Sequence, residues 1–186
     1  MYSTTDFRKG LKIEIEGEPY IIVDFQHVKP GKGGAFVRTR LKSLVSGNVI
    51  DQTFRSGDRV DKPDLEEREM QFLYEAGGEF HFMDTQTFEQ LFLTADQLGE
   101  KKDYLKENLV IKALFHNKRP LGIETPMFVE LKVVQSEPGV RGDTATGATK
   151  PATLESGAVI QVPLFVEVGD IVRIDTRTRE YITRVK

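Results

Sequence analysis

Short runs in which apolar and polar side chains alternate recur along the chain, and this period of two constrains the fold more than any other feature. Examples are Tyr20-Ile21-Ile22-Val23-Asp24-Phe25, Ala35-Phe36-Val37-Arg38-Thr39-Arg40-Leu41, Glu69-Met70-Gln71-Phe72-Leu73-Tyr74, Glu79-Phe80-His81-Phe82-Met83, Phe128-Val129-Glu130-Leu131-Lys132-Val133-Val134 and Asp170-Ile171-Val172-Arg173-Ile174-Asp175. Their apolar positions are β-branched or aromatic and turn-forming clusters separate them, which is the pattern of strands. The short spacings suit antiparallel hairpins and small barrels rather than the crossover helices that parallel strands need. Gly77-Gly78, between two of these runs, predicts a tight hairpin turn. The best helix signal is Thr94-Ala95-Asp96-Gln97, a capping box leading into Leu98 and, further on, Tyr104 and Leu105. One short helix inside a β domain accounts for it, so the chain is expected to be all-β.

Two breaks in the pattern divide the chain. Asp61 to Glu69 holds a proline and a run of acidic side chains, and Thr125-Pro126 precedes the Phe128 strand; a residue before proline resists helical geometry, so both read as joints. The expected domains are therefore residues 1–63, 64–127 and 128–186. At roughly 60 residues each lies near the lower limit for an independent core. Cysteine is absent, which removes disulfides, thiolate nucleophiles and cysteine-based metal sites and leaves packing to supply the stability. A closed barrel of five or six strands is the natural way to bury enough apolar surface; a single long β-sandwich is the alternative at this level.

Charge is unevenly spread. The formal net charge is -3, but residues 1–63 carry 11 Lys and Arg against 8 Asp and Glu, residues 64–127 carry 7 against 13, and residues 128–186 carry 8 against 8. A basic end joined to an acidic middle suits a protein that touches RNA in one place and is kept off it elsewhere. The N-terminus has no apolar signal region, and no stretch approaches the roughly 20 apolar residues that span a bilayer. A cytoplasmic protein without a membrane partner is expected.

Lys29-Pro30-Gly31-Lys32-Gly33-Gly34-Ala35 lies between two strong strand runs. Glycine on both sides of Lys32 permits backbone angles closed to other residues and Pro30 stiffens the approach, which predicts a hairpin loop with Lys32 near its tip. Strands of about eight residues would hold that tip about 25 Å from the far end of its domain. The segment is not a phosphate-binding P-loop, because Lys32 is followed by Gly33 and a strand rather than by Ser or Thr and a helix, and Phe36 stands where a dinucleotide fingerprint needs glycine. Gly and Lys are also common in ordinary wet turns. The functional reading rests on the amine, a mobile point charge on a four-carbon stem that can meet phosphate or be extended by an enzyme.

From end to end the chain resembles the bacterial elongation factor P family. The resemblance is carried by Lys29-Pro30-Gly31-Lys32-Gly33 and, above all, by Lys150-Pro151-Ala152-Thr153-Leu154-Glu155-Ser156-Gly157-Ala158-Val159-Ile160-Gln161-Val162-Pro163-Leu164-Phe165-Val166-Glu167-Val168-Gly169. Asp6-Phe7-Arg8-Lys9-Gly10, Thr87-Phe88-Glu89-Gln90, Gly139-Val140-Arg141-Gly142-Asp143-Thr144 and Asp175-Thr176-Arg177-Thr178-Arg179-Glu180-Tyr181 support it. It implies an SH3-like, KOW-type N-terminal domain followed by two OB-folds in an elongated, tRNA-like shape. It also implies a monomer that binds the 70S ribosome between the P and E sites when synthesis stalls at consecutive prolines. Lys32 is then the residue that reaches the peptidyl-transferase centre and the CCA end of P-site peptidyl-tRNA, supported by Lys29, Pro30, Gly31, Gly33 and Gly34. In lysine-type members that residue is often extended by a modifying enzyme, for example by β-lysylation. Gly34 stands where some β-lysylated relatives have Gln, which leaves the type of modification open. Archaeal and eukaryotic relatives that carry hypusine are shorter, two-domain proteins, so the third segment favours the bacterial form.

Other RNA-contact candidates follow. Arg38 and Arg40 share one face of the strand after the loop, where backbone phosphates can meet them. The Gly139 to Lys150 loop offers Arg141 and Lys150, and by resemblance Gly142, Asp143 and Thr144 sit near the E-site mRNA codon; a plain flexible connection is the alternative. Arg141-Gly142-Asp143 as an integrin-type motif is coincidence without a signal sequence or disulfides. Tyr181 and Arg184 lie in the last strand run, as RNA contacts or as a solvated face. The histidines His27, His81 and His116 show no metal-ligand spacing, no Ser-His-Asp order is present, and Glu66-Glu67 reads as a charged surface run, so neither cofactor nor catalytic group is expected. The reading from another class is a general OB-fold RNA-binding or RNA-chaperone protein resting on aromatic platforms and basic grooves, which the acidic middle disfavours.

Overall fold

Residues 1–138 and 147–186 are described by the structure, a computed structural model. They form an all-β protein, in which 16 strands alternate with tight turns and the helical pieces are short.

The first barrel is built from β1 (Tyr2–Ser3), β2 (Lys12–Ile15), β3 (Glu18–Val28), β4 (Phe36–Ser43), β5 (Val49–Arg55) and β6 (Arg59–Val60). Strands β2 to β5 form an antiparallel sheet in chain order, and β1 pairs with β6. Alternation decides what is buried. Along β4, Val37, Thr39, Leu41 and Ser43 point inward while Arg38, Arg40 and Lys42 are exposed. Phe7, Leu11, Ile13, Ile22, Val37, Leu41, Phe54 and Val60 make the core, with Phe7 and Phe54 edge to face at 5.3 Å.

The second barrel contains β7 (Leu65–Ala76), β8 (Glu79–Asp84), β9 (Gln90–Thr94), β10 (Val110–His116) and β11 (Arg119–Glu124), and the third contains β12 (Phe128–Ser136), β13 (Thr149–Leu154), β14 (Val159–Pro163), β15 (Ile171–Asp175) and β16 (Glu180–Val185). Their strand orders are β11-β10-β7-β8-β9 and β14-β13-β12-β15-β16. In each, the first strand is central, the second and third lie to one side and the fourth and fifth to the other, so both sheets share one topology. Gly77 and Gly78 close the β7–β8 turn at φ 59° and 83°, the pair of positive angles that a two-residue hairpin turn requires. Thr94 caps the helix α1 (Ala95–Leu98) as the capping box predicts, its side chain accepting from the Gln97 N–H. Gly99 ends it after a single turn, and the chain tightens into a 3-10 turn over Gly99–Tyr104.

The chain packs as two compact units, Met1–Glu66 with Phe115–Leu121, and Glu67–Leu114 with Gly122–Lys186. Within the second unit the 3-10 turn locks the second barrel to the third. Tyr104 is buried in the third barrel's core beside Val129, Leu131, Ala158 and Ile160. The Ser156 hydroxyl donates to the Asp103 carbonyl, and the Arg179 guanidinium donates to the Asp103 carboxylate at 2.8 Å. That hydrogen bond is the main reason the Arg179 guanidinium is held above its ordinary range.

The β8–β9 turn has its own lock. The buried Asp84 carboxylate accepts the backbone N–H groups of Gln86 at 2.8 Å and Thr87 at 3.0 Å, and its carbonyl accepts that of Phe88 at 2.9 Å. The N–H bonds from Thr87 and then Gln86 hold this carboxyl below its ordinary value. A carboxyl lowered in the folded state contributes stability that is present above about pH 4 and lost as the pH falls through the folded value. Thermal melting from about pH 6 to 3 is therefore expected to fall more steeply for the wild type than for Asp84→Asn.

Candidate functional site

The loop 29–35 joins the longest strand of the first barrel, the 11-residue β3, to the 8-residue β4. The two strands pair antiparallel up to Val28↔Phe36, with a bulge between Ile22 and Asp24. A bulge adds twist to such a ribbon. Beyond the last pair the chain leaves regular structure, and Lys29, Gly31, Lys32, Gly33 and Gly34 are all exposed. Gly33 stands at φ 101°, which an L side chain rarely adopts. A Cβ built on Gly31, Gly33 or Gly34 would meet no atom within 4 Å. None of the three glycines is thus crowded on its side-chain side, and at Gly33 the backbone angle rather than crowding selects glycine. Among the described residues neither Lys29 nor Lys32 engages a carboxylate or carbonyl of the chain.

Below the tip, β4 places Arg38 and Arg40 on the outer face of the ribbon. The Arg38 guanidinium lies 5.5 Å above the Phe36 ring, and Arg40 is held by Asp51 at 3.2 Å. With Asp24, Gln26, Gln52 and Thr53 they line a shallow depression of about 270 Å³. The face therefore carries one cation braced by a ring and another partly neutralised.

The candidates of the third barrel are spread over different settings. Arg141, Gly142, Asp143 and Thr144 lie outside the described residues. Lys150 is buried and donates to the Glu137 carbonyl at 2.7 Å; the alternation of β13 turns it inward. Tyr181 is half-buried and packs against the core of its barrel. Arg184 is exposed, 5.1 Å above the Phe165 ring and 3.5 Å from Asp170. The histidines serve the fold in different ways: His116 Nε2 lies 2.8 Å from Glu14 Oε1 within the first unit, and His81 joins a surface stack of rings. Among the described residues no three His, Cys, Asp or Glu side chains come together to hold a metal ion, and no helix is long and apolar enough to cross a membrane.

A small barrel that raises a lysine-tipped ribbon is followed by two barrels of one topology, which defines a modular, three-barrel class of all-β protein. The elongation factor P KOW-like domain model matches residues 3–60, its OB domain model matches 65–123 and its C-terminal domain model matches 129–184. Elongation factor P of Natranaerobius thermophilus is 59% identical over 186 residues, covering 100% of this chain and 99% of that protein. That of Moorella thermoacetica is 60% identical over 184 residues, covering 99% and 100%. The chain belongs to the elongation factor P family, a family of translation elongation factors. Among solved structures, the eukaryotic translation initiation factor 5A from Methanococcus jannaschii superposes with a TM-score of 0.58 at 25% identity, covering 67% of this chain and 91% of that one.

Proposed function

We propose that the chain binds the 70S ribosome between the P and E sites, beside peptidyl-tRNA, and promotes peptide-bond formation where consecutive prolines stall synthesis. The observation that carries this reading is the free amine of Lys32 at the open tip of the β3–β4 ribbon, in a member of the elongation factor P family. Proline is a poor nucleophile with a locked φ, and a nascent chain rich in it holds peptidyl-tRNA away from a productive pose. Lys32 steadies the CCA end from the side of the peptidyl-transferase centre. The factor lowers the orientational part of the barrier and donates no catalytic group of its own.

Lys32 is also the substrate of a lysine-modifying enzyme in this reading, with β-lysylation as one form. An exposed primary amine with no partner among the described residues is accessible to such an enzyme and gains reach from the added group. Intact mass of protein from its native host tests this arm, since a mass equal to the sequence removes it. The ribosomal arm is tested by reconstituted translation of a message encoding three consecutive prolines. Relief of the stall on adding the protein supports it, and tight binding to free RNA oligomers without relief supports a general RNA-binding protein instead.

A further inference from the structure

The second barrel displays a row of rings that neither its core nor Lys32 uses. Tyr74 on β7, His81 on β8 and Phe92 on β9 are direct cross-strand neighbours, Tyr74↔His81 and His81↔Phe92. The first two rings stack at 4.5 Å and 16°, and the third follows at 5.7 Å and 42°. Tyr74 is 52% exposed and Phe92 49% exposed, so the row lies on the outside of the sheet. By register the same face carries Gln71, Ala76, Glu79, Met83, Gln90 and Thr94. No lysine or arginine is among them, and the one formal charge is the Glu79 carboxylate, 3.3 Å from His81 Nε2.

Strands 2 and 3 of an OB barrel, here β8 and β9, form the face where single-stranded nucleic acid is held, by rings for the bases and basic groups for the phosphates. Here the rings are present and the basic groups are not. The segment around them carries 13 Asp and Glu against 7 Lys and Arg over residues 64–127, which repels phosphate. An occupant that suits exposed ring faces in an acidic setting must bring the cation itself. A guanidinium does both: its plane stacks on an aromatic face, and its charge is drawn to the ring quadrupole and to Glu79. We propose that the outer face of β7–β9 is a docking surface for an arginine-bearing segment of a protein partner. The surface works independently of the Lys32 tip.

The test uses the full-length chain and a fluorescein-labelled peptide of alternating arginine and glycine, with a lysine-for-arginine peptide and a single-stranded RNA oligomer as comparisons. The arginine peptide is expected to bind, to move the NMR signals of the Tyr74, His81 and Phe92 rings, and to outbind the lysine peptide. Tyr74→Ala and Phe92→Ala are each expected to weaken binding about 3- to 30-fold, the range of one cation–π contact, whereas Lys32→Ala leaves it unchanged. Both residues are exposed, and the ring signals of the wild type give a readout that needs no variant. Peptide that leaves those signals in place, binding indifferent to both substitutions, or RNA that competes for the rings overturns the proposal.

Discussion

Lys32→Ala is expected to abolish most of the relief at three consecutive prolines while leaving the melting temperature where it was. Lys32 is exposed and, among the described residues, engages no carboxylate or carbonyl, and a Cβ built on Gly31 or Gly33 would meet no atom within 4 Å. A surface change of that kind alters stability by less than about 0.5 kcal/mol. The effect on rate is of another order, because a misplacement of about 1 Å in a reacting pair costs about 100-fold. Reconstituted translation, with and without the proline run, measures it. A loss of about 10- to 100-fold confined to the proline message is the expected result. Equal rates for the wild type and the variant would remove Lys32 from the mechanism, whatever the factor does elsewhere.

Tyr104→Ala is expected to carry the largest cost in stability. Tyr104 is 5% exposed and sits in the core of the third barrel although its chain segment connects β9 to β10 of the second. Removing a buried aromatic ring costs about 3–5 kcal/mol through lost burial and the cavity left behind. The polar bonds beside it are worth less. The Arg179–Asp103 pair is partly solvated, with side chains 37% and 20% exposed, so Asp103→Asn is expected to cost at most about 1 kcal/mol. Urea unfolding of both variants separates the two contributions. A Tyr104→Ala loss no larger than that of Asp103→Asn would mean that the ring is not what joins the two barrels.

Local signals carried much of this fold into the sequence. The period-two runs became strands, Gly77-Gly78 became the positive-φ turn, and Thr94-Ala95-Asp96-Gln97 became a capped helical turn, because each is decided by a few adjacent residues. Tyr104 was legible as an apolar residue after a short helix, but not as part of the next barrel's core. That placement depends on a core cluster shared with residues such as Ala158 and Ile160, more than fifty positions further along the chain, and no periodicity encodes it. The β-bulges at Ile22/Asp24 and Phe72/Tyr74 were hidden for the same reason, since a bulge is a property of two paired strands. At the site, the Lys32 tip was readable from glycine and proline chemistry. The inward turn of Lys150 follows from its alternation in β13 once the strand's register is known, and the row Tyr74, His81, Phe92 needed two registers at once.

The ladder between β3 and β4 also limits how the height of the tip can be tuned. Inserting one residue into each strand would turn Arg38 and Arg40 inward and the core residues Val37 and Leu41 outward. Adding two to each preserves the faces but raises the tip in a step of about 6.6 Å. Backbone length is therefore a coarse adjustment. Atoms added to the end of a side chain lengthen it by about 1.5 Å per bond, so extending a side chain would be a finer adjustment of reach than lengthening the ribbon.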